Sequence, residues 1–254
     1  TGSMRRNNRP SLAPDRSTHA AQSQDSLQIV EEGVKSALMA PRNIVFPTVA
    51  NAPVVVWLVA LTCAPEILLT LGETGLLGFD QLRGTFLMYG AFWDGLLRGW
   101  DPIFPGQSVT MFFSYAALHG GLLHLVGNMV AVLALGGIVV ARIGAPGFLL
   151  LYAVSVLTGG IGYALLSNAD APMIGASGAV FGLIGAWKFW EWQLRHHLGS
   201  PMRPLWRSLV GLALLNVVLW LLLSGMLAWE AHLGGFLGGV LFAAIATPTL
   251  RHRF

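Results

Sequence analysis

Charged residues are scarce in this chain, and cysteine is nearly absent. Of its 254 residues, 11% are charged and 54% are hydrophobic, with a mean hydropathy of +0.64. About a quarter of the residues in a soluble domain are charged, so a soluble fold of this composition would expose too much apolar surface to water. The single cysteine, Cys63, excludes an internal disulfide and a cysteine-based structural zinc site. The composition therefore predicts a membrane protein, with the lipid bilayer as its solvent.

The basic residues do not predict a nucleic-acid partner. The isoelectric point is about 9.4, but the net charge is only +3, and the Lys and Arg residues lie between apolar runs. That arrangement is typical of residues that orient a chain in a membrane. We expect no nucleic acid among the partners.

Six apolar stretches approach the roughly 20 residues that a helix needs to cross the hydrocarbon core. The fourth is the least apolar, because it ends in Lys188, Glu191 and Arg195. With a cytoplasmic N-terminus, every Lys and Arg except Arg83 and Arg98 lies on the cytoplasmic side, as the positive-inside rule requires. We therefore predict an all-α bundle of six transmembrane helices with both termini in the cytoplasm. The stretches are 50–71, 121–141, 146–167, 177–194, 205–226 and 231–249.

The rest of the chain is organised around these spans. Residues 1–3 precede the first methionine and are expected to be an expression scar. Residues 4–44 are polar and arginine-rich, which predicts a cytoplasmic tail with one short amphipathic helix. The membrane domain should occupy 45–250, followed by a cytoplasmic C-terminus at 251–254. Within it, the long segment 72–118 is rich in aromatic residues, which favours a position at the membrane interface.

A few polar side chains fall where the bilayer should not tolerate them. His119 and His124 stand at the start of the second span, and Asn128 follows one turn later. Ser177 begins the fourth span, and His232 begins the sixth. Because even-numbered spans run from outside to inside, all five side chains should lie at one depth in the outer leaflet. Polar residues within membrane spans predict a functional site.

The fourth and sixth spans carry glycines at helical spacing beside Ser177 and His232. Small residues four apart let two membrane helices approach closely. A serine and a histidine on such helices reach the nucleophile–base geometry of covalent catalysis. The glycines are Gly178, Gly182 and Gly185 in the fourth span, and Gly234, Gly235, Gly238 and Gly239 in the sixth.

His124 and Asn128 share one helix face, because they are four residues apart. Both side chains can donate hydrogen bonds, and donors aimed at a developing negative charge form an oxyanion hole. The backbone N–H of Ser177 adds a further donor, since the first N–H groups of a helix have no partner within it. These residues predict acyl-transfer chemistry.

Other interpretations remain open. Glycine and serine are common in packed membrane helices, so each motif alone is typical of structure rather than chemistry. A metal site formed by His119, His124 and His232 is a second possibility, although we find no H-E-x-x-H string and expect no carboxylate in this layer. A membrane chaperone would bind transmembrane segments without cleaving them. A transporter is disfavoured, because the two halves show no matching interrupted helices.

The combination of motifs resembles the rhomboid family of intramembrane serine proteases. The resemblance rests on Gly175-Ala176-Ser177-Gly178 followed by Phe181-Gly182, on His119-x4-His124-x3-Asn128, and on Ala231-His232-x2-Gly235-x3-Gly239. It covers residues 45–250 and implies the family's six-helix core. It also implies a serine endopeptidase without a cofactor, acting on membrane proteins through their transmembrane segments. A bacterial inner membrane is the expected location.

The resemblance also implies roles for individual residues. Ser177 would be the nucleophile and His232 the base, in a dyad without an acid. His124 and Asn128, with the loop at Gly175 and the Ser177 amide, would bind the oxyanion, and His119 would support the rim. Many family members carry a Trp-Arg pair in the first outer loop. The aligned stretch, 108–113, reads SVTMFF and lacks that pair.

Overall fold

The structure, a computed structural model, describes residues 52–74, 81–167 and 171–246. The predicted expression scar, the tail at 4–44 with its amphipathic helix, and the C-terminus at 251–254 lie outside the described residues. Within the described parts the chain is helical, and its one isolated β-bridge pairs Phe92 with Met173. The prediction of an all-α fold is confirmed.

Seven α-helices and two short 3₁₀ helices make up the described chain. Four of the α-helices, α1, α4, α6 and α7, are long and apolar enough to cross a membrane. The helix α5 is not among them, because its last two turns are charged and polar. The helices are α1 (Pro53–Glu73), α2 (Leu82–Gly90), α3 (Gln107–Ser114), α4 (Leu122–Leu166), α5 (Ser177–His197), α6 (Arg203–Leu222) and α7 (Trp229–Ala246), with the 3₁₀ helices at Asp94–Leu97 and Tyr115–Ala117.

The helix α4 is divided by a sharp kink. It has 45 residues, which would extend for roughly 68 Å if straight, about twice the thickness of the hydrocarbon core. Gly144 breaks it with φ of 74° and ψ of 171°, a conformation that is open to glycine, and Pro146 follows. The two halves, 122–143 and 145–166, match the second and third apolar stretches of the sequence.

The second half of α4, α5 and α7 pack against one another at glycines, where backbone contacts backbone with no side chain between. A Cβ atom on Gly235 of α7 would overlap the Gly178 carbonyl group of α5, and one on Gly239 would overlap the Gly182 carbonyl group. A Cβ on Gly162 of α4 would lie 2.6 Å from the carbonyl oxygen of Glu230. These glycines hold the three helices close, and the N-terminal ends of α5 and α7 meet the C-terminal end of α4.

The first half of α4 packs against α1 and α5. Val55 of α1 lies over Gly136, where a Cβ would come within 2.6 Å of the valine side chain. Large side chains fill the space between the helices, and their burial removes apolar surface that would otherwise face either water or lipid. The fully or nearly buried members include Leu125, Met129 and Val132 of the first half and Val180 and Leu183 of α5, and Phe148 and Leu151 of the second half join the same cluster.

The helix α6 stands apart from this bundle. Leu205, near its first turn, is the one buried residue in it, and most of its apolar side chains are exposed. A cleft of about 730 Å³ separates α6 from α5 and α7. Its walls are apolar except for two side chains, Asn216 and His232. The lining residues include Phe181, Leu212, Ala213, Val217, Trp220, Trp229 and Phe236.

The aromatic rings of the segment after α2 are partly buried in the protein and partly exposed. Phe92 is fully buried, and its ring packs edge-on against Phe112, Tyr115 and Tyr163 at centroid distances of 4.8, 6.1 and 5.6 Å. Trp100 and Phe113, by contrast, are half exposed. Phe92 therefore belongs to the protein core, where the backbone pairing of its own residue with Met173 holds it.

An ion pair anchors the first outer segment to α1. Arg83 of α2 donates to both carboxylate oxygens of Glu66 at 3.0 and 2.9 Å, and also pairs with Glu73. Its Nη1 donates to the carbonyl oxygen of His119 at 3.0 Å. Glu66 is fully buried, so our expectation that no carboxylate lies in this layer is wrong. The hydrogen bonds to the two carboxylates raise the pKa of Arg83, which stays charged.

Arg83→Leu is expected to lower the free energy of unfolding by about 3–5 kcal/mol, because Glu66 would remain buried without its counter-charge. Glu73→Gln is the matched control. The Glu73 side chain is 49% exposed, and because water screens an exposed ion pair, its loss should change the stability little. Denaturant unfolding in detergent micelles measures both variants. Equal losses in the two would contradict the assignment of Glu66 as the anchoring partner.

Candidate active site

Ser177 is the first residue of α5, and the backbone before it is tightly held. The N–H of Gly175 donates to the carbonyl oxygen of Tyr115 at 3.0 Å, and Met173 pairs with Phe92 through two backbone hydrogen bonds of 2.9 and 3.0 Å. Gly175 has a φ of 120°, which side chains rarely tolerate. The chain therefore turns at a fixed point and presents Ser177, partly exposed, at a helix start with unpaired N–H groups.

His124 and Asn128 lie against this turn. A Cβ atom on Gly175 would come within 2.8 Å of both Cε1 and Nε2 of His124 and within 3.8 Å of Asn128 Nδ2. Gly120 donates its N–H to His124 Nδ1 at 3.3 Å, which leaves the proton of a neutral ring on Nε2. Asn128 is 7% exposed, and its Nδ2 donates to the carbonyl oxygen of His124 at 3.1 Å. A second N–H of that amide is left to donate elsewhere.

His119 supports the same turn from the other side. Its Nε2 accepts a hydrogen bond from the N–H of Ala176 at 3.5 Å, and its ring packs edge-on against His124 at a centroid distance of 5.1 Å. Burial lowers the pKa of His119 to about 4, so the ring is neutral at pH 7. With Arg83 bound to its carbonyl oxygen, His119 connects the anchored outer segment to the residue before Ser177.

His232 lies in the first turn of α7, the helix that packs against α5. The side chain is buried, with 6% of the residue exposed. Its ring stacks on Phe181 with a centroid distance of 4.2 Å and an interplanar angle of 7°. Its Nδ1 lies 2.6 Å from Oδ1 of Asn216 on α6.

The helices that carry Ser177 and His232, α5 and α7, pack closely on each other. Phe181 lies one turn after Ser177 on the same helix face, and it is Phe181 that stacks on the His232 ring. Gly178, next to Ser177, is pressed against the backbone of α7 at Ala231 and Gly235. Among the described residues, no hydrogen bond joins the Ser177 hydroxyl to the His232 ring. The structure therefore brings the two residues to facing helices without closing the contact between them.

Among the described residues, one cluster lies around the turn that leads into Ser177, and it contains His119, His124, Asn128 and Gly175. A second cluster contains His232, with Phe181 and Asn216. The stacking of Phe181 on His232 and the contact of Asn216 with His232 were not predicted from the sequence. Asn216 was visible as a single amide within an apolar span.

The histidines do not assemble with other ligands. Within residues 52–74, 81–167 and 171–246, we find no group of three His, Cys, Asp or Glu side chains that could hold a metal ion. His119 and His124 contact each other, whereas His232 binds Asn216 and Phe181. The geometry fits hydrogen-bond donation and proton transfer better than metal coordination.

Comparison with known proteins gives a consistent result. A family model described as a rhomboid domain matches residues 106–249, which is more than half of the chain. Rhomboid protease GlpG of Yersinia pseudotuberculosis is 34% identical over 142 residues, covering 53% of this chain and 47% of that protein. Rhomboid protease GluP of Bacillus subtilis is 31% identical over 127 residues, covering 50% and 24%. Rhomboid-like protease 3 of Toxoplasma gondii is 26% identical over 200 residues, covering 78% and 71%.

Proposed function

Because the chain belongs to the rhomboid family, we propose that it is an intramembrane serine endopeptidase that uses Ser177 and His232 as a catalytic dyad. The observation that carries this proposal is the set of contacts around Ser177. A turn held by His119, His124 and Asn128 precedes the serine, and a buried histidine lies on the helix packed against it. The substrates would be membrane proteins cut in or near a transmembrane segment.

The chemistry follows from the positions of these groups. Ser177 Oγ attacks the carbonyl carbon of the scissile peptide bond, and His232 accepts the hydroxyl proton. The resulting oxyanion accepts hydrogen bonds from Asn128 Nδ2, His124 Nε2 and the Ser177 N–H. The C–N bond then breaks as His232 returns the proton to the leaving amine. Water, activated by the same histidine, hydrolyses the acyl-enzyme and regenerates Ser177.

We further propose that the chain crosses the membrane six times, with both termini in the cytoplasm. The crossings would be α1, the two halves of α4, α5, α6 and α7. This topology leaves Arg83 and Arg98 as the outer basic residues, and each is ion-paired, Arg83 with Glu66 and Arg98 with Asp94 at 2.6 Å. It also places Ser177, His124 and His232, all in first turns, at the outer ends of their helices, where water can enter. We place the protein in a bacterial inner membrane.

The apolar cleft beside α6 is the proposed route by which a substrate reaches the dyad. His232 lies in its wall, and the other lining residues suit a transmembrane segment. We expect α6 and the turn at 223–228 to move as the substrate enters. The scarcity of buried residues in α6 supports this motion, because few packing contacts have to be broken.

Filling the cleft tests that route. Ala213→Trp is expected to slow cleavage of a membrane-embedded substrate by about tenfold or more, the scale of a steric mismatch in an apolar pocket. Reaction with a small fluorophosphonate should be unchanged, since the probe does not need the cleft. Leu214→Trp is the control, because Leu214 lies outside the cleft lining and is 59% exposed. A normal cleavage rate in Ala213→Trp would contradict the route.

Asn128→Ala is expected to lower the turnover rate by about 10²–10³-fold, the loss typical of one oxyanion-hole donor. The fold should survive, because the amide of Asn128 otherwise bonds the backbone of its own helix. Steady-state kinetics on a fluorogenic transmembrane peptide measures the loss. A rate within a factor of two of wild type would remove Asn128 from the mechanism.

The alternative is a membrane chaperone that binds transmembrane segments on the same fold without cleaving them. A single-span peptide with a fluorophore and a quencher on either side of a helix-destabilised segment separates the two functions in liposomes. The protease proposal predicts cleavage by the wild type and uncleaved binding by Ser177→Ala. Binding without cleavage by both proteins would favour the chaperone.

A further inference from the structure

Asn216 contacts the residue that the proposed chemistry uses as its base. It lies in the middle of α6, a helix whose described side chains are otherwise apolar around the cleft. Its Oδ1 is 2.6 Å from Nδ1 of His232, and both residues line the cleft. A polar amide within an apolar span is costly unless it is hydrogen-bonded. This contact and a bond to its own helix satisfy both ends of the amide.

The second bond fixes which end of the amide faces the histidine. Nδ2 of Asn216 donates to the carbonyl oxygen of Leu212 at 3.1 Å, one turn earlier in α6. The oxygen end is therefore the end turned toward His232. An amide oxygen only accepts hydrogen bonds, so Nδ1 of His232 has to be the donor. In a neutral imidazole with the proton on Nδ1, Nε2 carries the lone pair.

We propose that Asn216 is a positioning residue for His232, which it holds in the tautomer whose Nε2 can take the proton of Ser177. The proposal rests on the dyad mechanism above. Phe181 holds the plane of the ring by stacking, and Asn216 sets its rotation and tautomer. A base oriented by a third group completes the nucleophile–base arrangement of serine and cysteine hydrolases. The dyad of this chain thus has an amide in the place where many hydrolases have a carboxylate.

The location of Asn216 gives the contact a second consequence. Asn216 belongs to α6, while Ser177 and His232 belong to helices that are locked together by glycine contacts. A displacement of α6 from α7 would therefore break the hydrogen bond without separating Ser177 from His232. The ability of His232 to accept the proton of Ser177 therefore depends on where α6 lies beside the cleft.

The test uses two variants of the full chain in detergent, Asn216→Leu and Asn216→Asp. Leucine removes the acceptor at similar volume, and aspartate keeps an oxygen at the same position. The rate of fluorophosphonate reaction gives kinact and KI separately. We expect kinact of Asn216→Leu to fall by about 10²-fold, the lower end of the contribution of a general base, with KI unchanged. Asn216→Asp should recover most of the rate.

A spectroscopic readout reports on the tautomer directly. In protein labelled with ¹⁵N-histidine, the ring signals that disappear in His232→Ala belong to His232. The wild type should show a protonated Nδ1 and an unprotonated Nε2, and Asn216→Leu should lose that pattern. Ser208→Ala is the control, because the Ser208 hydroxyl bonds only the carbonyl oxygen of Leu205 in its own helix. It should leave both the rate and the spectrum unchanged.

Specific outcomes would overturn the proposal. One is a wild-type kinact in Asn216→Leu, and another is a wild-type spectrum with the proton on Nε2 of His232. If Asn216→Leu fails to fold, the wild-type spectrum and the rate of Asn216→Asp still decide the question. If the wild-type protein does not react with fluorophosphonate at all, the protease proposal fails. The tautomer spectra then show whether Asn216 orients His232.

Discussion

His232→Ala is expected to abolish turnover while the protein still folds. Without the imidazole, the proposed base for the Ser177 hydroxyl is gone, and the nucleophile stays a neutral alcohol. Loss of one member of a serine-protease catalytic group lowers kcat by about 10⁶-fold in a well-studied case. Cleavage of the quenched single-span peptide in liposomes measures the residual rate.

The matched control for His232→Ala is His196→Ala. His196 lies in the last turn of α5, far along the helix from Ser177, and its ring stacks on Trp192 at 5.6 Å. Its removal should leave the rate unchanged. A His232→Ala variant that retains more than about 1% of wild-type turnover would exclude His232 as the general base, since such a base contributes at least 10²-fold.

A single methyl group added to α7 is also expected to lower both stability and turnover strongly. Gly235→Ala places a Cβ atom where the carbonyl group of Gly178 lies, so α7 has to move away from α5. Such overpacking costs about 1–3 kcal/mol of stability. The turnover rate should fall by more than the loss of stability alone would cause. The same movement separates His232 from Ser177, and a misplacement of 1 Å can cost about 10²-fold.

Gly211→Ala provides the control for that variant. Gly211 lies in α6, and nothing stands within 4 Å of the position its Cβ would take. Alanine is the better helix former by about 1 kcal/mol, so this variant should be as stable as the wild type or more so. Thermal unfolding in detergent and peptide cleavage measure both variants. Equal behaviour of the two would contradict the close packing of α5 on α7.

The helical fold could be predicted from the sequence because each span is a long apolar run, and such a run in lipid has to satisfy its backbone as a helix. The glycine spacing also indicated which helices come close. The sequence indicated a break between the second and third predicted spans. The backbone angles at Gly144 could not be predicted from it. Gly144 has non-helical φ and ψ, so the two halves of α4 are two helices joined at a sharp turn.

Part of the candidate site was also accessible from the sequence. His124 and Asn128 share a helix face by their spacing alone, and the structure places both against Gly175. The contact between Asn216 and His232 was not accessible, because it depends on how α6 is rotated relative to α7. The Glu66–Arg83 pair was missed for a related reason. It joins residues 17 positions apart in different helices, and a buried carboxylate is expected only once its partner is known.

The proposed mechanism requires Ser177 to be an activated nucleophile. The most direct measurement is reaction of the purified, folded protein with a fluorophosphonate, followed by mass spectrometry to locate the adduct. The probe requires no knowledge of the substrate. We expect one adduct, on Ser177, that is absent from Ser177→Ala and from His232→Ala. An adduct on another residue, or equal labelling of His232→Ala and wild type, would contradict the proposed mechanism.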